Sequence, residues 1–247
     1  MSDKVPGFIT VRSSSSRLPN KCFLPFGERC NVLEHIIRRA KHYNLDPIIC
    51  TSTDPSDDLI EKLAIKEKVK FFRGSLNNKL QRWADCAKYF NLDAFHSVDA
   101  DDPFFDGNEM KRSYEMLLFE DLDVVTPTKE SSAGDASVGY SLKTNAIIRS
   151  LKGLNPETDT EMMWFYIEKI TDLKKKILPS ISKSKLKLRL TLDYKEDYWL
   201  LESLSRLVGN LATREEINTL FLNNPDLHKI NWFRNLEWKI AQDSKKI

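Results

Sequence analysis

Short β-branched and aromatic runs alternate with helical patterns through the first half of the chain, and this rhythm limits the fold more than any other feature. Parallel neighbours need crossover connections and helices supply them, so the pattern predicts a mostly parallel sheet covered on both faces. FITV (Phe8 to Val11) reads as the first strand. VLEHIIRRAKHY follows as a helix with Leu33, Ile36, Ile37 and Ala40 on its inner stripe. PIICTS and VKFFRG read as the next strands and AFHSVDADDPFFD as a fourth strand running into an acidic loop, with DDLIEKLAIKEK and NKLQRWADCAKYF as helices between them. Asp54 or Ser56 is placed to cap the first of these helices. DLDVVTP reads as a fifth strand.

The pattern then loosens. Glu130 to Ser137 is small, polar and glycine-containing. ETDTEMMWFYIEKITDL reads as an amphipathic helix, and KSKLKLRLTLDY, with Leu186, Leu188, Leu190 and Leu192 alternating with polar partners, as a half-buried strand. Three helical segments close the chain. The expected organisation is one α/β domain over residues 1–247, a Rossmann-like three-layer sandwich, with an excursion at about 129–185.

Composition narrows the function. With 247 residues, 41% hydrophobic and 30% charged, the chain is too rich in core-forming residues for a disordered or fibrous protein. A formal charge of +2 offers no single-sign field to recruit nucleic acid or a membrane surface, so any bound anion must be held locally. Cys22, Cys30, Cys50 and Cys86 form no CxxC pair and read as reduced structural thiols. There is no basic start followed by a long apolar core, and no run of about 18 apolar residues, so a cytoplasmic protein is expected.

Three clusters bear on chemistry. RSSSSRLPNK directly follows the first strand, at the strand end where open parallel sheets bind ligands. Its small hydroxyl residues let backbone N–H groups approach an anion, and Arg12, Arg17 and Lys21 add positive charge. Either a polyphosphate cradle or a solvated loop fits this pattern. The GxxxxGK[ST] spacing of a Walker loop is absent. VDADDPFFD crowds Asp99, Asp101, Asp102 and Asp106 at the end of the fourth strand, where a divalent cation would relieve their repulsion. Strand alternation points Asp99 and Asp101 one way and Asp102 the other. The alternative is an acidic turn in which Asp106 caps the next helix. LRLTLDYKED places Asp193 at a strand-to-helix junction, whose commonest meaning is an N-cap.

Together these blocks resemble the cytidylyltransferases that activate acidic sugars, the CMP-Kdo and CMP-sialate synthetase superfamily, and within it the branch named for spore-coat polysaccharide biosynthesis. The family opening Arg-x-Gly-Ser-x-Arg-Leu-Pro-x-Lys is matched by Arg12, Ser15, Arg17, Leu18, Pro19 and Lys21. LPFGERCNVLEHII, TSTDPSDDLIEKLA, FRGSLNNKLQRW, ADDP, LTLDYKED and NNPDLHKINWF continue the likeness, which is thinnest between about Lys129 and Lys185. Ser14 and Ala100 stand where the family has glycines, and Asp193-Tyr194-Lys195-Glu196-Asp197 where it has Asp-Thr-Pro-Glu-Asp. A side chain at Ser14 requires a negative φ or a strained left-handed backbone.

The resemblance implies a nucleotide-diphospho-sugar transferase type of fold and transfer of CMP from CTP to a sugar acid or related anionic acceptor, with release of pyrophosphate. It implies that Arg12, Ser13, Ser14, Ser15, Arg17 and Lys21 bind the nucleotide, with Gly74, Ser75 and Arg82 nearby. Arg12, Lys21 and Asp101 would carry catalysis, Asp101 and Asp193 would hold Mg2+, and the protein would be a homodimer. Two rivals remain. Asp99-Ala100-Asp101 is an Asp-x-Asp motif of the kind metal-dependent glycosyltransferases use, a reaction that would release nucleoside diphosphate. Ser14 and Ala100 fit a degenerate nucleotide-binding paralogue.

Overall fold

The computed structural model describes residues 4–15, 17–129, 139–180 and 186–243. The Glu130 to Ser137 stretch of the expected excursion lies outside the described residues. In chain order the elements are β1 (Pro6–Thr10), β2 (Pro25–Phe26), β3 (Cys30–Asn31), α1 (Val32–His42), β4 (Asp46–Ser52), α2 (Asp58–Lys66), β5 (Lys70–Gly74) and α3 (Lys79–Tyr89). They continue with β6 (Ala94–Asp99), α4 (Gly107–Phe119), β7 (Val124–Thr126), β8 (Ser141–Lys143), α5 (Thr144–Ser150), α6 (Trp164–Ile167) and β9 (Lys175–Ile177). The C-terminal helices are α7 (Lys195–Val208), α8 (Arg214–Asn223) and α9 (Arg234–Asp243).

Seven strands form one sheet in the order β5-β4-β1-β6-β8-β7-β9, and β2 pairs only with β3. From β5 to β6 every pairing is parallel; β8 runs antiparallel to both β6 and β7, and β9 is parallel to β7. The 129–185 stretch therefore supplies β8 and β9 to the main sheet. The strand order doubles back at β1, placing the carboxyl ends of β1 and β6 side by side, with Thr10 opposite Asp99. Ligands bind at such a switch point.

Alternation along β1 and β4 divides their side chains between two of the core's clusters. Ile9 and Ile49 join α1, α2 and the C-terminal helices on one face, whereas Phe8, Ile48 and Cys50 join α3 and α5 on the other. Phe8 and Phe95 stack with centroids 4.1 Å apart, and Trp83 meets Phe95 edge-on at 5.7 Å. The helices start where capping side chains are available. Asn31 and Glu34 form a reciprocal capping box on α1, and Asp106 accepts from the N–H groups of Asn108 and Glu109 on α4. Asp54 accepts from Ser56 N–H at the 3-10 turn that leads into α2.

Two expected elements differ. The helix expected over ETDTEMMWFYIEKITDL is reduced to the four residues of α6. Asn155 and Asp159 accept hydrogen bonds from the N–H groups of Glu157 and Glu161, and these local turns compete with the helix. Thr160, fully buried, fastens the segment to α3 instead, accepting from Leu80 N–H at 3.0 Å and donating to Asn78 Oδ1 at 3.0 Å. The strand expected through Leu186 to Leu192 has no ladder over its described residues. Leu188, Leu190 and Leu192 are buried, but Arg189 between them is only 1% exposed, so both sides of the segment are enclosed.

Candidate active site

Loop 11–21 leaves β1 at the switch point. Asp57 anchors its start. One carboxylate oxygen accepts from Ser13 N–H at 2.7 Å and Ser13 Oγ at 2.8 Å, and the other accepts from the Thr51 and Ser52 hydroxyls. Ser13 is therefore buried against Asp57, whereas Ser14 is exposed and Ser15 half-buried. Ser14 is not among the positive-φ residues, so its side chain is accommodated without left-handed strain. Asn20 adopts φ 55°, a conformation asparagine tolerates, as the loop turns into Lys21.

Lys21 draws the distant sequence blocks together. Its ammonium donates to Asp101 Oδ2 at 3.0 Å, Asp193 Oδ1 at 3.2 Å and the Leu192 carbonyl at 2.7 Å. Arg17 donates to the same Asp193 oxygen at 2.5 Å. Burial opposes the charge on Lys21, yet the two carboxylates hold it protonated beyond the ordinary lysine range. The aspartates diverge: burial raises Asp101 above the usual carboxylate range, whereas at Asp193 the pull of Lys21 and Arg17 overcomes burial and lowers it.

A buried network fixes Asp193. Asp197 pairs with Arg189 through both oxygens, at 2.8 and 3.0 Å, and accepts from the N–H groups of Asp193 and Tyr194, each at 2.9 Å. Asn231 donates to Asp197 Oδ1 at 2.9 Å and to the Arg189 carbonyl at 2.8 Å. Arg17, Arg189 and Arg234 all lie over the Tyr194 ring, with distances to its centroid of 5.6, 5.6 and 4.9 Å.

The acidic turn departs from strand alternation. β6 ends at Asp99, and the bond from Asp102 N–H to the Asp99 carbonyl closes a turn. Asp102 is therefore not directed away from its neighbours: ligand atoms of Asp99, Asp101 and Asp102 all lie within 4.8 Å of one another. Such oxygen donors suit a hard divalent cation. His35 Nε2 meets the Pro103 carbonyl at 2.7 Å and Arg39 Nε donates to the Phe105 carbonyl at 2.9 Å, pinning the far side of the turn.

The remaining expected residues lie on the α3 side. Arg12 donates to the Leu76 carbonyl and to Glu161, both at 2.9 Å. Arg82, 1% exposed, donates to the carbonyls of Ser75 and Leu76, so its guanidinium supports that loop. Gly74 makes this packing possible, because a Cβ there would stand 2.9 Å from the Phe72 ring and 3.1 Å from Arg82 Cγ. Ser75 Oγ accepts from Asn78 N–H at 3.0 Å. Sequence reading missed Asp57, Lys79 and Glu161. Lys79 reaches Asp99 Oδ1 at 3.2 Å from the start of α3; only the excess of like charge in VDADDPFFD hinted at such a partner.

A switch-point sheet with basic groups on the loop after β1 and clustered carboxylates after β6 suits an enzyme that handles nucleoside phosphates, and the family match makes it a nucleotidyltransferase. The chain belongs to the cytidylyltransferase family, whose model matches residues 7–197. It is similar to the spore coat polysaccharide biosynthesis protein SpsF of Bacillus subtilis, 26% identical over 88% of this chain and 94% of the relative. An uncharacterized protein of Methanocaldococcus jannaschii is 28% identical over 92% of this chain and 94% of its own length. Among solved structures, a cytidylyltransferase from Leptospira borgpetersenii superposes with a TM-score of 0.79 at 25% identity, covering 91% of this chain and 96% of that one. A CMP-2-keto-3-deoxy-manno-octonic acid synthetase complexed with CTP shares the fold, with a TM-score of 0.62 at 13% identity over 83% and 99% of the two chains.

Proposed function

We propose that this cytidylyltransferase transfers CMP from CTP to a hydroxyl of a sugar acid or a related anionic acceptor, for surface polysaccharide synthesis. The observation that carries the reading is the convergence of Arg17, Lys21, Asp101 and Asp193, from three distant parts of the chain, at the switch point. Asp101 and Asp193 are the residues that would hold Mg2+; when bound, the ion supplies charge compensation for the triphosphate. The acceptor oxygen forms the new bond to the α-phosphorus as the bridging P–O bond to the β-phosphate breaks; pyrophosphate departs and the hydroxyl proton is lost to water. Lys21 and Arg12 offset the charge that grows on the departing pyrophosphate, and Arg17 orients the phosphates. Ser14 and Ser15 offer the loop backbone to the same phosphates. A homodimer in the cytoplasm completes the proposal.

The test is pyrophosphate release from CTP across a panel of sugar acids. Asp101→Asn is expected to lower turnover by roughly 100-fold or more while the circular dichroism spectrum is unchanged. Near-normal turnover in that variant refutes the assignment of Asp101, and release of free nucleoside diphosphate from a sugar nucleotide would favour glycosyl transfer.

A further inference from the structure

Lys79 is a cation that neither the motifs nor the proposed reaction employs. Its side chain is 8% exposed, and its ammonium lies 3.2 Å from Asp99 Oδ1 and 4.9 Å from the centroid of the Trp83 ring. Removing an ammonium from water is costly unless it is paired, and here the carboxylate and the indole face offset that cost. The position is held firmly. Asn78 caps α3 by accepting from Gln81 N–H at 2.9 Å, and Thr160 takes the Leu80 N–H. Asp99 in turn lies within 4.8 Å of the ligand atoms of Asp101 and Asp102.

Lys21 and Lys79 both neutralise this acidic turn, but their surroundings differ. Lys21 sits on the loop expected to meet the triphosphate, so an arriving nucleotide offers its ammonium other oxygens. Lys79 is enclosed on the α3 side, with Asp99 Oδ1 at 3.2 Å and the Trp83 face at 4.9 Å. We propose that Lys79 withholds Asp99 from a divalent cation held by Asp101 and Asp193, leaving a fixed ammonium where Asp99 would otherwise be a further ligand. This rests on the assignment of those two aspartates to the ion under the proposed function. Lys79 thereby acts as a specificity residue for the metal: it sets whether Asp99 is among the carboxylates the ion meets.

The experiment titrates the full chain with Mn2+ and follows the loss of the free-ion electron paramagnetic resonance signal. Lys79→Met, which keeps the length of the side chain and removes its charge, is expected to bind Mn2+ about tenfold more tightly than the parent. The double variant Lys79→Met/Asp99→Asn removes both charges, avoids a buried unpaired ion and is expected to return to the parent affinity. Unchanged or weaker binding by Lys79→Met overturns the inference. So does a double variant about tenfold weaker than the parent, since Asp99 would then already be a ligand. Should Lys79→Met fail to fold, Lys79→Gln, which also removes the charge, takes its place with the same expected tightening. Asp101→Asn, run beside them, is expected to lose Mn2+; if it does not, the metal assignment itself fails, whereas loss in Asp101→Asn together with a weakened double variant rejects the role of Lys79 alone.

Discussion

At the scale of single residues, the turn that carries Asp101 depends on groups with no direct part in the chemistry. Burial pushes the His35 imidazole down to about 4, partly countered by its hydrogen bond to the Pro103 carbonyl, and Arg39 and Arg38 add repulsion. The unfolded chain takes up this proton near the ordinary histidine value of about 6.5, whereas the folded chain does so only near 4. The lowered folded value therefore costs stability as pH falls through that window. Urea unfolding at stepped pH is expected to show this loss in the parent protein, and His35→Gln, which retains a donor and does not titrate, should lack that component. Equal pH slopes would mean that His35 is accessible to protons in the native state.

At the scale of elements, the α3 N-terminus shows how a strap replaces an expected helix. Thr160→Val keeps the shape of the side chain but leaves Leu80 N–H without its acceptor and Asn78 Oδ1 without one donor. Stability is expected to fall by about 1–3 kcal/mol in urea titrations. The same element explains what could be read from the sequence. β1, β4, β5 and α1 to α3 were legible because their apolar periods match their burial, with Ile48, Ile49 and Cys50 dividing between two core clusters. Asp106 was legible as a cap for a similarly local reason. The 157–173 helix was not, because Thr160 bonds to a helix some 80 positions earlier, a pairing that no local period reveals. The Leu186 to Leu192 strand failed for a related reason: Arg189 reads as solvent-facing, yet Asp197, Asn231 and Asn235 receive it inside. Arg17, Lys21, Asp101 and Asp193 were legible as separate motifs, and the fold brings them together. Lys79 and Asp57 resembled ordinary helix-start residues, since nothing local identifies their buried partners Asp99 and Ser13.

At the scale of the whole molecule, residues beyond the family match support the site. Asn231, fully buried, reaches from the C-terminal region to Asp197 and Arg189, which hold the backbone and carboxylate of Asp193. Asn231→Leu removes both bonds. Its melting temperature is expected to fall by about 4–8 °C, corresponding to about 2 kcal/mol of lost hydrogen bonding, and its magnesium-dependent response to CTP should weaken. A response equal to that of the parent would separate the C-terminal segment from the site. The central claim, a CTP site at the β1–β6 switch point, is tested most directly by thermal unfolding with CTP, UTP, ATP, GTP and a sugar nucleotide, each with and without magnesium. At a hundred times its dissociation constant a ligand adds about 2.7 kcal/mol to the native state, so a rise on the order of 5 °C with CTP and magnesium, far above that with the other nucleotides, is expected. No shift with CTP, or a shift with the sugar nucleotide alone, would contradict it.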